Sequence, residues 1–317
     1  MAVHGAASSP WDQGQDFPHK QMMSGPIIFG EVLFDCFEDR AILGGAPFNV
    51  AWNLCGFGQA PLFIGAVGQD ELGQQVRSMM DTWGLETQGL QHCASHPTGQ
   101  VQVHLEGGEP SYDILADQAY DHIAAAPAIA ASQQRRRAIL YHGTLALRSQ
   151  TSRATLEALH TATARPIFLD VNLRSPWWEP KSLPALLMRA TWVKLNAQEL
   201  TWLTPEHLPD MPTKALWMQD RYGLDAVILT LGAQGALVVS KEGQCIHSPA
   251  APAPNVLRDT VGAGDAFSSV VLIALMQEWS WEKTIAHAAQ FAAKVCTLHG
   301  AITSQRAFYT ETAEQWK

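Results

Sequence analysis

The chain predicts an α/β fold built on a mostly parallel sheet with helices on both faces. Three features predict it. Short apolar runs recur along the chain, longer segments of helical character separate them, and polar or Gly-rich motifs follow the runs. Strands buried on both faces need apolar side chains at nearly every position, so continuous rather than alternating runs mark a parallel sheet. Such sheets bind ligands beyond the C-terminal ends of their strands.

The first run, Ile27–Phe34, leads through Asp35 and Gly44-Gly45-Ala46-Pro47-Phe48-Asn49 into a helix predicted over Pro47–Gly56. Pro47 suits an early helical position, where its missing N–H would be unpaired anyway. Leu62–Val67 is the second strand and Glu71–Trp83 the second helix. Strands at Ala138–Tyr141, Ile167–Val171, Trp192–Leu195, Ala226–Leu231 and Ala236–Ser240 follow. Helices at Ser152–Ala162, Ala197–Leu203 and Thr213–Tyr222 lie between them, and Ala266–Met276 reads as a buried helix. From Thr98 to Ile114, Val101, Val103 and Leu105 alternate with Gln102 and His104, and Gly107-Gly108 interrupts the pattern. A period of two is a hairpin with one wet face. It suits a lid, or an edge through which two copies form a homodimer; a plain surface hairpin gives the same pattern.

With 317 residues, 47% of them hydrophobic, the chain can bury a large core. A net charge of −9 argues against a nucleic-acid partner. Arg135-Arg136-Arg137 is a solvated lead-in to a strand. No segment has the length of a membrane span. Five widely spaced cysteines without a C-x-x-C pair fit reduced thiols in a cytoplasmic protein. His92 and His96 have metal-ligand spacing for a helix, but Pro97 disfavours helix there and the pair reads as incidental. Residues 1–25, with no signal-peptide core, read as a flexible extension in which Met22 or Met23 is an alternative start.

The chemistry concentrates in Asp259-Thr260-Val261-Gly262-Ala263-Gly264-Asp265, which opens the last apolar helix. Bare N–H groups at a helix start and the positive end of its dipole hold anions. Asp265 beside them is a candidate base for a hydroxyl, and the helix N-terminus should favour its ionised form. Gly44, Gly45 and Asn49 form a turn able to hold a polyol, with Asp35 able to accept from two neighbouring hydroxyls. Asp170-Val171-Asn172-Leu173-Arg174 ends a strand, and alternation puts Asp170, Asn172 and Arg174 on one side. Arg174 offers a cationic fork near a transferred phosphate. Lys194, Asn196 and Glu199 follow another strand, where Glu199 would hold Mg²⁺ directly or through water. Thr230, Gly232 and Gly235 form a Gly-rich turn able to support a nucleotide's phosphates. Singly, these motifs also fit plain roles: a capped turn, a helix start with a stabilising acid, a tight β-turn.

In this order and spacing the motifs resemble those of the ribokinase-like PfkB family of sugar and nucleoside kinases, over about Ile27 to Ser304. Gly44–Asn49 is similar to its N-terminal signature, Asp259–Asp265 to its C-terminal one, and Val67-Gly68-Gln69-Asp70-Glu71-Leu72-Gly73 to its V-G-x-D-x-x-G segment. The resemblance implies a three-layer α/β/α domain over 26–312 with a mostly parallel central sheet. It implies a small β-sheet lid, formed mainly by 36–43 and 98–114, and leaves 313–317 as a tail.

It further implies ATP-dependent phosphorylation of a small-molecule sugar, with Asp265 as general base and the amides of Gly262, Ala263 and Gly264 as anion hole. Asp35, Gly44, Gly45, Asn49 and Tyr112 would bind the sugar. Lys194, Asn196, Thr230, Gly232 and Gly235 would bind the nucleotide, with Glu199 organising Mg²⁺. Asp259, Val261, Gly300 and Ser304 would form a monovalent-cation (K⁺) site.

Within the family the motifs look most like those of bacterial fructokinases. Glu106, Glu109, Asp113 and Asp117 make the hairpin acidic, which favours a neutral sugar over 2-keto-3-deoxygluconate. A nucleoside kinase would want a more apolar slot around Tyr112. A non-catalytic sugar sensor would have lost Asp265 or the glycines beside it.

Overall fold

The computed structural model describes residues 25–106, 109–252 and 257–316, with the side chains of 105, 106, 109 and 110 outside the description. β1 (Ile27–Phe29), β2 (Leu33–Cys36) and β3 (Ala41–Gly44) lead to α1 (Ala46–Gly56). β4 (Leu62–Gly68), α2 (Glu71–Trp83) and β5 (Leu90–Cys93) precede a hairpin of β6 (Gly99–Glu106) and β7 (Glu109–Ile114). Next come α3 (Ala125–Ser132), β8 (Leu140–His142), α4 (Gln150–Ala162), β9 (Ile167–Asp170) and α5 (Leu183–Leu187). They are followed by β10 (Trp192–Asn196), α6 (Ala197–Leu203), α7 (Met211–Tyr222), β11 (Ala226–Thr230), β12 (Ala236–Ser240) and β13 (Cys245–Ser248). α8 (Ala263–Gln277), α9 (Trp281–Val295) and α10 (Arg306–Glu314) complete the order.

The large sheet runs β13-β12-β11-β10-β9-β8-β1-β4-β5 and is parallel from β11 to β5, with β12 and β13 antiparallel at one edge. Alternate residues feed two apolar layers. Ile28, Phe63, Tyr141 and Phe168 meet residues of α1, α2, α8, α9 and α10 on one face. On the other face, Ile27, Phe29 and Leu140 meet α3 and α4, while Leu169, Val193 and Leu195 meet α5, α6 and α7. This is the expected α/β sandwich. Asp70, Ser149, Asp210 and Ser280 cap α2, α4, α7 and α9 by accepting from first-turn N–H groups. Beyond α10, Trp316 is nearly buried against Phe57 and Trp279.

The second sheet, β3-β2-β6-β7, corrects the expected single strand Ile27–Phe34. The run breaks at Gly30, whose φ is +149° and whose absent Cβ would lie 2.5 Å from Pro47 Cγ. Only glycine tolerates that backbone and that approach. The apolar run therefore serves two sheets, β1 in the large one and β2 in the small one. The expected hairpin at 98–114 forms β6 and β7, with β6 parallel to β2. Sheet order reverses at β1, whose neighbours are β4 and β8. The crevice expected at such a reversal lies beyond the C-terminal ends of these strands.

Candidate active site

A cavity of about 570 Å³ fills that crevice, between the ends of the central strands and the small sheet. β1 delivers Glu31 to it, β2 Asp35, the β3–α1 turn Gly44, Gly45 and Asn49, and β7 Tyr112. Arg174 and Lys194 enter beyond β9 and from β10. The turn before α8 adds Asp259, Val261 and Gly262, the first turn of α8 adds Gly264 and Asp265, and Gly300 also lines the cavity. Thirteen of the twenty residues expected at the site thus meet in one cavity, and Ala263, Asn196, Glu199, Thr230, Gly232, Gly235 and Ser304 lie outside its lining.

Asp265 sits buried in the first turn of α8 and accepts a hydrogen bond from Asn49 Nδ2 at 2.8 Å. Gly262 caps this helix at φ +80°, and a Cβ there would stand 2.3 Å from Ala301 Cβ. Ala266 N–H makes the first bond of the helix ladder, to Gly262 O, while Ala263 N–H donates to Thr260 O. The Ala263 amide is thus engaged in the turn itself, which weighs against its expected share in an anion hole. Gly264 lies beside Lys194, since a Cβ on it would be 3.2 Å from Nζ. An anion at this turn would meet helix-start amides and an ammonium group together.

Lys194 is itself held by Asp170, with Nζ 3.0 and 2.9 Å from the two carboxylate oxygens. Ser268 and Tyr141 also donate to Asp170. Here alternation misled: β9 ends at Asp170, and Asn172 takes a left-handed φ of 39°. Asp170 faces Lys194, its register partner on β10, while Asn172 and Arg174, beyond the strand end, join Lys194 in the cavity lining.

Glu199 is buried and reciprocally caps α6. Its N–H donates to Asn196 Oδ1, and its carboxylate accepts from Asn196 N and Leu173 N at 2.8 and 2.7 Å. Each Glu199 oxygen thus already accepts one backbone N–H, so helix capping is the role its contacts show. Asn196 and Thr230 are paired neighbours at the ends of β10 and β11, next to the turn holding Gly232 and Gly235. Gly235 is also required by packing, because a Cβ would fall 2.0 Å from Ser248 O.

Burial governs the carboxylates. It pushes Asp265 up to about 6, with Asp170 adding to the shift and Asn49, Lys194 and Arg174 opposing it. This corrects the expectation that the helix N-terminus would dominate; the Asp265 carboxyl is still mostly ionised at neutral pH. Burial raises Asp35 to about 6, helped by Asp259, and Glu31 to about 7. Glu31 was not among the expected residues. Two buried acceptors of the cavity, Glu31 Oε2 and Asn49 Oδ1, have no hydrogen-bond donor. Such acceptors are costly unless a ligand or water supplies the missing donors.

The acidity expected of the hairpin takes another form. Asp113 is exposed, Asp117 turns to His96 and His122, and Glu106 and Glu109 lie outside the described side chains. The negative wall is instead Glu31, Asp35, Asp259 and Asp265. Ser304 is exposed and lies outside the cavity lining that holds Asp259, Val261 and Gly300.

A family model described as pfkB family carbohydrate kinase matches residues 22–307. An aminoimidazole riboside kinase of Salmonella typhimurium is 30% identical over 280 residues, covering 82% of this chain and 84% of that protein. A fructokinase of Salmonella typhimurium is 29% identical over 280 residues, covering 82% and 88%. A crystal structure of a Vibrio cholerae O395 fructokinase double mutant, with fructose, ADP and potassium bound, superposes with a TM-score of 0.75. It is 26% identical and covers 91% of this chain and 98% of that one.

Proposed function

The chain belongs to the pfkB family of carbohydrate kinases, and on that premise we propose that it transfers the γ-phosphoryl group of ATP to a neutral ketohexose, fructose first. The observation carrying this reading is the pair of donor-less buried acceptors, Glu31 Oε2 and Asn49 Oδ1, in one cavity with Asp35 and Asp265. A ligand rich in hydroxyl donors satisfies such a wall, and an anionic one is repelled by the carboxylates of Asp35, Asp259 and Asp265.

Asp265 takes the proton of the attacking hydroxyl as its oxygen bonds to the γ-phosphorus and the bond to the departing ADP breaks. Asn49 holds the carboxylate in place. Lys194 and the amides at the start of α8 stabilise charge on the transferring group. Val101, Tyr112 and Ile114 of the small sheet border the cavity, which supports a lid that excludes water. Asn196, Thr230 and Gly232 are offered to the nucleotide. Asp259, Val261 and Gly300 are offered to a monovalent cation. Among the described residues no helix is long and apolar enough to cross a membrane.

A second reading rests on Arg174, the cavity's unburied guanidinium, which suits a carboxylated sugar such as 2-keto-3-deoxygluconate. An ATP-consumption assay across fructose, ribose, 2-keto-3-deoxygluconate, adenosine and aminoimidazole riboside separates the readings. The highest kcat/KM is expected for fructose. A clear preference for the carboxylated sugar transfers the assignment, and sugar binding without turnover leaves a sensor.

A further inference from the structure

Outside the cavity, at the foot of the β6–β7 hairpin, three metal-ligating side chains converge from its two legs. His96 lies just before β6, while Asp117 and His122 follow β7. Asp117 Oδ1 stands 3.3 Å from His96 Nε2 and 2.8 Å from His122 Nε2, and the three ligand atoms all lie within 4.8 Å of one another. Ligands about 2.0–2.1 Å from a tetrahedral ion stand roughly 3.3 Å apart, which these separations approach, but binding would also require the stacked rings to splay so that both in-plane lone pairs meet one ion. The two imidazoles stack with centroids 3.6 Å apart and planes at 13°.

The surroundings orient the set. His96 Nδ1 lies 3.0 Å from Ser95 Oγ and 3.3 Å from Cys93 Sγ, which directs Nε2 toward Asp117. Outer partners orient ligating histidines in this way. Asp117 reaches the histidines from a left-handed backbone, φ 56°, that a non-glycine residue adopts at a cost. Both imidazoles are mostly covered, while Asp117 is 71% exposed, so an ion has a path from solvent.

We propose that His96, Asp117 and His122 form a site for a divalent transition ion of the Zn²⁺ class, with water completing its shell. Two imidazoles and one carboxylate select borderline ions over Mg²⁺ and Ca²⁺, which prefer all-oxygen shells. The ion would tie together the two legs of the hairpin that borders the cavity, and so restrain its motion. Neither the phosphoryl-transfer chemistry nor its nucleotide uses these residues, so the inference stands apart from the proposed substrate.

The test uses the full chain, stripped with EDTA and titrated with Zn²⁺ against a chromophoric chelator. His122→Gln and Asp117→Asn each remove one ligand at a partly exposed position, and His92→Gln, whose imidazole meets Arg77, is the control. Wild type and His92→Gln should bind one more tight Zn²⁺ than the ligand variants, or bind it at least about tenfold more tightly. Zn²⁺ should also slow amide exchange across 99–114 in wild type and not in those variants, at unchanged circular dichroism. Equal Zn²⁺ binding by all four proteins, absence of tight binding in wild type, or displacement by equimolar Mg²⁺ would overturn the site. If one ligand variant fails to fold, the other decides.

Discussion

Asn49 and Asp265 lie 216 residues apart in the chain and are joined by a 2.8 Å hydrogen bond at the facing starts of α1 and α8. The amide donates, so the bond favours the ionised carboxylate, and it leaves the buried Asn49 Oδ1 without a donor. Asn49 and Asp265 are thereby one hydrogen-bonded unit. Phe267, Val270 and Val271 of α8 and Phe48, Val50 and Ala51 of α1 are buried in the same apolar cluster, which fixes the pair.

Replacing the base should act on the chemical step. Asp265→Asn keeps the shape and one acceptor oxygen but cannot take the hydroxyl proton, so kcat should fall by about 10²–10⁴-fold with little change in sugar affinity. Steady-state kinetics beside sugar binding by calorimetry check this. Near-normal kcat in the folded variant would reduce Asp265 to a residue of the helix start.

The pH dependence follows from burial. With Asp265 raised to about 6, kcat/KM should decline in acid through about pH 6 rather than near 4. Glu31 and Asp35 titrate in the same range, so this limb belongs to the set. Stability isolates Asp265. A carboxyl with a raised folded value favours the folded chain fully below its unfolded value and loses that contribution as pH rises through about 6. Asp265→Asn should therefore gain stability relative to wild type as pH passes from 4 to 7, read as the difference in Tm. A difference that does not vary with pH would contradict the shift.

Glu199→Gln tests whether this carboxylate caps a helix or serves a metal. An amide group turned toward Leu173 N–H or Asn196 N–H would leave a buried donor unpaired, at about 1–3 kcal/mol. Urea unfolding should show that loss. A raised Mg²⁺ requirement at unchanged stability would instead support the water-mediated metal role.

The Lys194–Asp170 pair should behave as a buried ion pair. Lys194→Met strands the Asp170 carboxylate with Tyr141 and Ser268 as its remaining partners, and should destabilise by about 3–5 kcal/mol. Adding Asp170→Asn should restore much of that stability without restoring the KM for ATP. A single variant as stable as wild type would show that the pair is not electrostatically coupled.

Gly262→Ala places a Cβ against Ala301 at a left-handed backbone position. The turn must shift, displacing the Gly264 amide and Asp265 together. A fall in kcat larger than the fall in Tm suggests is the expected result, with Gly58→Ala, open around its Cβ, as the comparison.

Strand and helix identity was legible where burial on two faces writes a continuous apolar run, as at Leu62–Val67 and Ala226–Leu231. The Gly44–Asn49 and Asp259–Asp265 motifs were legible because a tight backbone approach and an anion cradle need particular residues in consecutive positions. α9 left a readable signal too, in Ser280 followed by Ile285, Ala288, Phe291 and Val295.

Relations between distant segments were not legible. A period of two gave Asp170 the side of Asn172 and Arg174, but Asp170 ends its strand in register with Lys194, and the left-handed Asn172 turns the residues after it elsewhere. Glu31 reads as an ordinary acid, and only residues from other elements bury its carboxylate and leave an oxygen without a donor. Asp117 reads as part of an acidic hairpin, yet the chain folds it onto two histidines. Local pattern encodes backbone geometry and solvent exposure. Which charges meet depends on the order of the strands and on loop backbone angles, which bring together residues with no relation in sequence.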